Sequence, residues 1–255
     1  MKRSYRVVLF PIAVALAFAA CGSKPAPEPQ ASPSGKKVDP ATAATITGHV
    51  SFTGTPPAVE SIRMTTDPAC VQAAGPNVQS DTTIVSASGA VANVFVYVKD
   101  GLDPAYTFDV PTEPVVLDQK GCRYVPHVTG VRVGQPLKII NSDNTLHNVH
   151  AMPMKNQEFN QGQPMAGFTI TKTFTVPEVM VKFMCNVHGW MKAYVGVLPH
   201  PFWAVTDANG AFKIAGVPPG SYTIGIWHEK FGEQEQKVTL TDEKTADLSF
   251  SFASK

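Results

Sequence analysis

From residue 45 onward the chain is written in short alternating runs with almost no helical period, and this restricts it to β architecture. The runs cover residues 46–52, 91–98, 124–133, 137–141, 168–176, 180–185, 194–198, 222–227, 238–240 and 248–252. Turn residues separate them: Gly134-Gln135-Pro136, Asp207-Ala208-Asn209-Gly210 and Pro218-Pro219-Gly220. Many short strands with regular Gly and Pro punctuation predict sandwiches or barrels. The 255 residues suffice for one large or two small domains, and 44% hydrophobic against 16% charged residues can fill a core. No phosphate-binding glycine loop and no G-x-S-x-G elbow occurs. The formal net charge is +1, and Lys2, Arg3 and Arg6 stand in an acid-free head, so the remainder is slightly acidic. A nucleic-acid partner, which needs a concentrated basic patch, is not expected.

The first 20 residues join that basic head to an apolar run from Val7 to Ala20, too short for an ordinary membrane-spanning helix and interrupted by Pro11. They are expected to be an export signal peptide. Ala19-Ala20-Cys21-Gly22 resembles the bacterial lipoprotein signal, which implies lipidation at Cys21 and a lipid anchor in the membrane; a plain cleaved signal is the alternative. Residues 22–44, with Pro25, Pro27, Pro29, Pro33 and Pro40, are expected to be a disordered, Pro-rich tether. The expected location is the periplasm or outer cell envelope.

Export places the four cysteines, Cys21, Cys70, Cys122 and Cys185, in an oxidising compartment. With Cys21 lipidated, at most two of the other three can pair. Cys70 and Cys122 lack metal-ligand spacing and are the expected disulfide. Cys185 is then unpaired, in the stretch MCNVHGWM beside His188 and Met191. An exposed thiol outside the cytoplasm is an oxidation liability that metal ligation removes. Alternation in Val181-Lys182-Phe183-Met184-Cys185 turns Val181, Phe183 and Cys185 inward at a strand end, with His188 and Met191 on the following loop and 193–198 as the return strand. Zinc would accept Cys and two His but has no use for Met191.

A second segment, NSDNTLHNVH at 141–150, supplies a fourth group. Asn…His-Asn-Val followed by Cys-x-x-His-x-x-Met resembles the cupredoxins, amicyanin and plastocyanin among them, over about residues 113–199. The resemblance implies one type 1 copper ion held by His147, Cys185 and His188, with Met191 as weak axial ligand. It also implies that Asn148 ties the two ligand loops together. His150 is expected to share a strand face with His147, so that either serves as ligand, the family pattern favouring His147. His127 is expected to open a strand that pairs with 137–141 through the Gly134-Gln135 turn, near the copper end. There it is a hydrogen-bond partner behind a ligand, a replacement ligand or a surface histidine. Soft thiolate and thioether favour Cu(I), and imidazoles suit both oxidation states.

The stretch TDANGAF…VPPGSYTI within 202–229 resembles the carboxypeptidase-regulatory-like sandwich, whose opening strands would be those near 46–50 and 92–96. The expected fold is all-β: a cupredoxin Greek-key β-sandwich plus a carboxypeptidase-regulatory-like (transthyretin-like) β-sandwich. Residues 45–100 and 200–253 would form the latter, and 101–199 the copper domain, inserted into it. The Asp207–Gly210 stretch is expected to close a hairpin. Four protein ligands leave no open position, so the implied role is electron transfer between redox partner proteins, not catalysis. Copper storage or delivery is an alternative, since six of the eight methionines fall in 152–191. An envelope scaffold with a carbohydrate-binding-like sandwich is another. Trp190 is expected to pack, or to join an apolar patch around an exposed edge of His188 through which electrons pass.

Overall fold

The computed structural model describes residues 35–242 and 244–254. The expected signal peptide, the lipidation at Cys21 and most of the tether therefore lie outside the described residues. No helix among them is long and apolar enough to cross a membrane.

Two sandwiches share the chain. In the first, a three-stranded sheet has β1 (Ala44–Thr53) at its centre, antiparallel to β15 (Ala211–Val217) and parallel to β18 (Thr245–Ala253). It faces a four-stranded sheet in the order β14 (Trp203–Val205), β4 (Phe95–Asp100), β16 (Gly220–His228), β17 (Gly232–Leu240). Strict alternation of buried and open positions along β1 aims Ile46, Val50 and Phe52 inward, where they meet Ile224, Phe250 and Phe252.

The second sandwich holds a five-stranded sheet, β10 (Phe159–Gln163), β9 (His147–Met152), β12 (Glu178–Met184), β13 (Lys192–Leu198), β7 (Val128–Arg132). Opposite lies a four-stranded sheet, β11 (Thr169–Thr173), β8 (Pro136–Asn141), β5 (Val115–Gln119), β6 (Tyr124–Val125). Leu117, Leu137, Ile139, Val149, Val181 and Phe183 fill the space between. A third apolar cluster of Phe95, Tyr97, Val128 and Leu198, with Tyr194, Trp203 and Trp227 against it, joins the two sandwiches. The contact depends on glycine. A Cβ at Gly196 would lie 2.4 Å from the Phe95 ring, and one at Gly130 2.5 Å from the Trp203 indole.

Between β1 and β4 the chain makes an excursion of two short strands, β2 (Ser61–Arg63) and β3 (Asn77–Gln79), paired antiparallel around helix α1 (Pro68–Ala74). Met64 and Cys70 from this excursion are buried in the second sandwich. Asp67 is the helix N-cap and Pro68 opens the first turn, the arrangement that starts a helix most readily.

Two sequence expectations fail. The run 124–133 does not form a hairpin with 137–141: β7 pairs in parallel with β13, and β8 pairs with β5 and β11 in the opposite sheet. Gly134-Gln135 is thus a crossing between sheets. Likewise Asp207–Gly210 is a tight turn, with Gly210 alone at positive φ (71°), but β14 and β15 enter different sheets, so it is a corner and not a hairpin. Period-two patterning reports that a strand has a buried face; it carries no information on which neighbour it bonds.

Candidate metal centre

Strand β12 ends at Met184 and delivers Cys185 inward, fully buried behind Val181 and Phe183. The loop that follows closes on itself. The Met191 N–H donates to the His188 carbonyl (2.9 Å), and the Cys185 N–H donates to the Met191 carbonyl (3.2 Å). One compact turn thereby presents Cys185, His188 and a buried Met191. His147 enters from the first position of β9 and is fully buried.

Both loops are tied together. The Asn148 N–H donates to Cys185 Sγ (3.3 Å), and the Asn148 side-chain oxygen accepts the Asn186 N–H (3.1 Å). Its Nδ2 donates to Asn160 Oδ1. The Tyr124 hydroxyl donates to the carbonyls of Asn148 and Met184, one from each ligand segment. Asn141, fully buried, accepts the Asp143 N–H and donates to the Thr145 carbonyl, fixing the loop that leads into His147.

The two imidazoles face each other with Nδ1 atoms 3.0 Å apart, and His188 Nδ1 is 3.9 Å from Cys185 Sγ. Their remote nitrogens are both committed to carboxylates. His147 Nε2 bonds Asp143 Oδ2 at 3.0 Å, and His188 Nε2 bonds Asp67 Oδ2 at 2.9 Å. A neutral imidazole that donates through Nε2 has a bare lone pair on Nδ1. Two ring nitrogens and a buried sulfur converging on one point are a donor set that could hold a cation. Thiolate sulfur, two imidazoles and a thioether on the same loop form a donor set that suits copper, and these residues fit it.

In the metal-free site the electrostatics favour a thiolate beside a protonated His147, whose Nδ1 proton a metal would displace. Burial alone would push the Cys185 thiol up, but hydrogen bonds from His147 and His188 and the N–H groups of His188 and Asn148 bring it down to about 6, which favours the thiolate. Burial works against a charged His147, yet the Asp143 carboxylate and the Cys185 sulfur raise it to about 9. Asp67 and Asp143 are both held below the usual carboxylate range: burial opposes this and is outweighed by the histidine and backbone N–H donors.

His150 lies elsewhere. At a separation of three it points to the opposite face of β9 from His147, correcting the expectation of a shared face, and it bonds Glu158 (2.6 Å) and Asn186 (3.3 Å). His127 is in none of the potential ligand clusters among the described residues. Its Nδ1 contacts the Lys192 carbonyl (3.0 Å), one residue past Met191, and its Nε2 meets Glu229 of the first sandwich. The Glu229 carboxylate also accepts from the Tyr194 hydroxyl.

The edge of His188 is not exposed, against the sequence expectation: the residue is only 3% accessible. The α1 excursion covers it. Cys70 and Cys122 form a disulfide whose Cys70 sulfur is 3.6 Å from His188 Nε2. Trp190 tilts its ring against His188 (5.1 Å between centroids) and donates its indole N–H to the Cys122 carbonyl. Asp67 and Asp143 were not singled out from sequence. Asp67-Pro68 carries a helix-start signal, and Asp143 lies four residues before His147, within reach of its ring.

Residues 193–253, from β13 through β18, match the family model of the carboxypeptidase regulatory-like domain. No curated protein matches the chain. Among solved structures, it is similar to a point mutant of amicyanin in its Cu(I) form, at 23% identity over 40% of this chain and 97% of that one, with a TM-score of 0.30. A Cu-containing nitrite reductase from Thermus scotoductus SA-01 is 23% identical over 38% of this chain, with a TM-score of 0.31. The match spans 26% of that reductase's length. A purple cupredoxin from Nitrosopumilus maritimus is 18% identical over 35% of this chain and 99% of that one, with a TM-score of 0.28.

Proposed function

We propose that the protein is a type 1 copper electron carrier of the bacterial cell envelope. The observation that carries this reading is the convergence of the His147 and His188 Nδ1 atoms on the buried Cys185 sulfur. His147, Cys185 and His188 would hold the ion, with Met191 as a fourth donor. Copper would supply a one-electron couple. The chain's own part is to keep the donors fixed in both oxidation states. Asn148, Tyr124 and the two carboxylates do so by hydrogen bonds independent of the metal. With four donors from the protein and none left for a substrate, the site favours carriage over catalysis.

Partner proteins would approach near Leu146 and Val187. These neighbours of His147 and His188 are 47% and 48% exposed, while the His188 ring itself is shut in. The export signal and the tether would anchor the head to the membrane within reach of those partners. We also propose that β1 and β4 complete the carboxypeptidase-regulatory-like sandwich, with the copper sandwich inserted between β4 and β14. Limited proteolysis that released 45–100 and 200–253 as two independently folded domains would refute the insertion.

Titration of purified protein with Cu(II) tests the copper reading. An intense visible thiolate-to-copper band at one equivalent, a reversible one-electron couple and loss of the band in Cys185→Ser are expected. Absence of the band would overturn it. Copper delivery is the second reading, favoured by the exposed methionines Met152, Met154 (93% accessible) and Met165. Binding of several Cu(I) ions that survives Cys185→Ser would select it.

A further inference from the structure

We propose that Asp67 is a positioning residue for the His188 ligand, carried to it by a helix that the Cys70–Cys122 disulfide pins over the metal centre. The inference rests on the copper reading above and goes beyond it, because Asp67 lies outside the sandwich that supplies the ligands.

The carboxylate divides its work. Oδ1 accepts the N–H groups of Ala69 (2.8 Å) and Cys70 (3.4 Å), capping α1. Oδ2 accepts from His188 Nε2 (2.9 Å) and from the Thr145 hydroxyl (3.0 Å), which stands two residues before His147. One side chain therefore binds the covering helix, the second ligand and the loop of the first. The disulfide closes the assembly. Cys70 sits in the first turn of α1, and Cys122 donates its N–H to Asp143 Oδ2 (2.7 Å), the oxygen that bonds His147 Nε2. The bridge thus joins the loop holding one histidine to the loop holding the other. With its Nε2 N–H held by Asp67, His188 keeps Nδ1 aimed at Cys185; without that acceptor the ring plane is not fixed. The cover also closes the side from which solvent or a small chelator would reach the His188 bond.

Asp67→Ser separates the two roles of the residue. Serine is as good an N-cap as aspartate, so α1 is retained, but its hydroxyl is too short to reach His188 while capping. The expected results are a Cu(I) affinity lowered about 10–100-fold, the range for loss of such an outer partner, and faster copper loss to a Cu(I) chelator at similar thermal stability. Opening the bridge by Cys70→Ser/Cys122→Ser should act in the same direction, and combining it with Asp67→Ser should add little, since both loosen the same hold on His188. A readout without metal uses unsubstituted apo protein: long-range 1H–15N NMR should show His188 protonated on Nε2 with slow solvent exchange. An Nε2 without a proton, or one whose proton exchanges fast, would overturn the proposal whatever the variants do. Wild-type protein that binds copper while Asp67→Ser matches it in affinity and chelator kinetics sinks the inference alone. Wild-type protein that takes no copper sinks the copper reading and the inference with it.

Discussion

At the scale of single residues, the candidate site is held mainly by side chains that reach across from one loop to another. Asn148 shows this best, since it touches the sulfur of one ligand segment while belonging to the other. Asn148→Ala removes the side-chain acceptor for the Asn186 N–H and the bond to Asn160. Both partners are exposed, so its expected cost is about 0.5–1.5 kcal/mol, the net worth of an ordinary hydrogen bond, measured by chemical denaturation of apo protein. The visible band should persist in the variant, because the Asn148 backbone N–H to sulfur is untouched. His147, Cys185 and His188, which the structure brings together, were legible in the sequence because their spacing within two segments is set by loop closure. Asp67 was not. Its partner His188 is 121 positions away, and nothing local marks a carboxylate as the acceptor of a distant imidazole.

At the scale of elements, Glu178 at the start of β12 organises the loop after β9. Its carboxylate accepts the N–H groups of Met154, Lys155 and Asn156 and the Asn156 amide, closing the strand that carries His147 onto the one that carries Cys185. Burial alone would raise its pKa, but these donors outweigh it and hold the carboxyl below its ordinary value of 4.5. A lowered folded pKa contributes stability above the unfolded value and loses it as pH falls through the folded one. Glu178→Gln should therefore be destabilised by about 1.5–3 kcal/mol at pH 7, the range for hydrogen bonds to a charged group. The difference from wild type should shrink as pH falls below 4.5 and through the lowered folded value, as urea midpoints in a pH series would show. Most strands were readable as elements because each has one buried face. Their partners were not, since Gly134-Gln135 and Asp207–Gly210 look like hairpin turns but switch sheets. Helix α1 escaped because seven residues are too few to display a helical period, although Asp67-Pro68 marks its start.

At the scale of the whole molecule, the two sandwiches meet through glycine-seated aromatic rings and through Glu229, which bonds His127 and the Tyr194 hydroxyl. Burial opposes a charged Glu229, and His127 outweighs it and lowers its pKa. Glu229→Ala leaves His127 and Tyr194 without their acceptor. It should cost about 3 kcal/mol in calorimetry, as when one member of a buried pair is removed, with His147, Cys185, His188 and Met191 unchanged. Gly196→Val should cost about 1–3 kcal/mol by forcing Phe95 off β13. Acid should weaken the whole chain as well. Burial pushes His200 and His228 down to about 4 from 6.5, so the unfolded state binds more protons below pH 6.5. Stability should fall between about pH 6.5 and pH 4, and His200→Gln/His228→Gln should flatten that slope in a series of thermal melts. The existence of two sandwiches was legible from strand count and the separated motifs; their shared aromatic interface was not, because its residues are scattered over β4, β7, β13, β14 and β16. The central claim, that one ion binds where three donors converge, is tested most directly by a crystal structure of copper-loaded protein with anomalous data at the copper edge. The account predicts a single peak bonded to His147 Nδ1, His188 Nδ1 and Cys185 Sγ, with Met191 as the fourth donor. Copper found instead at His150 with Glu158, or at the exposed methionines, with the Cys185 site empty, would contradict it.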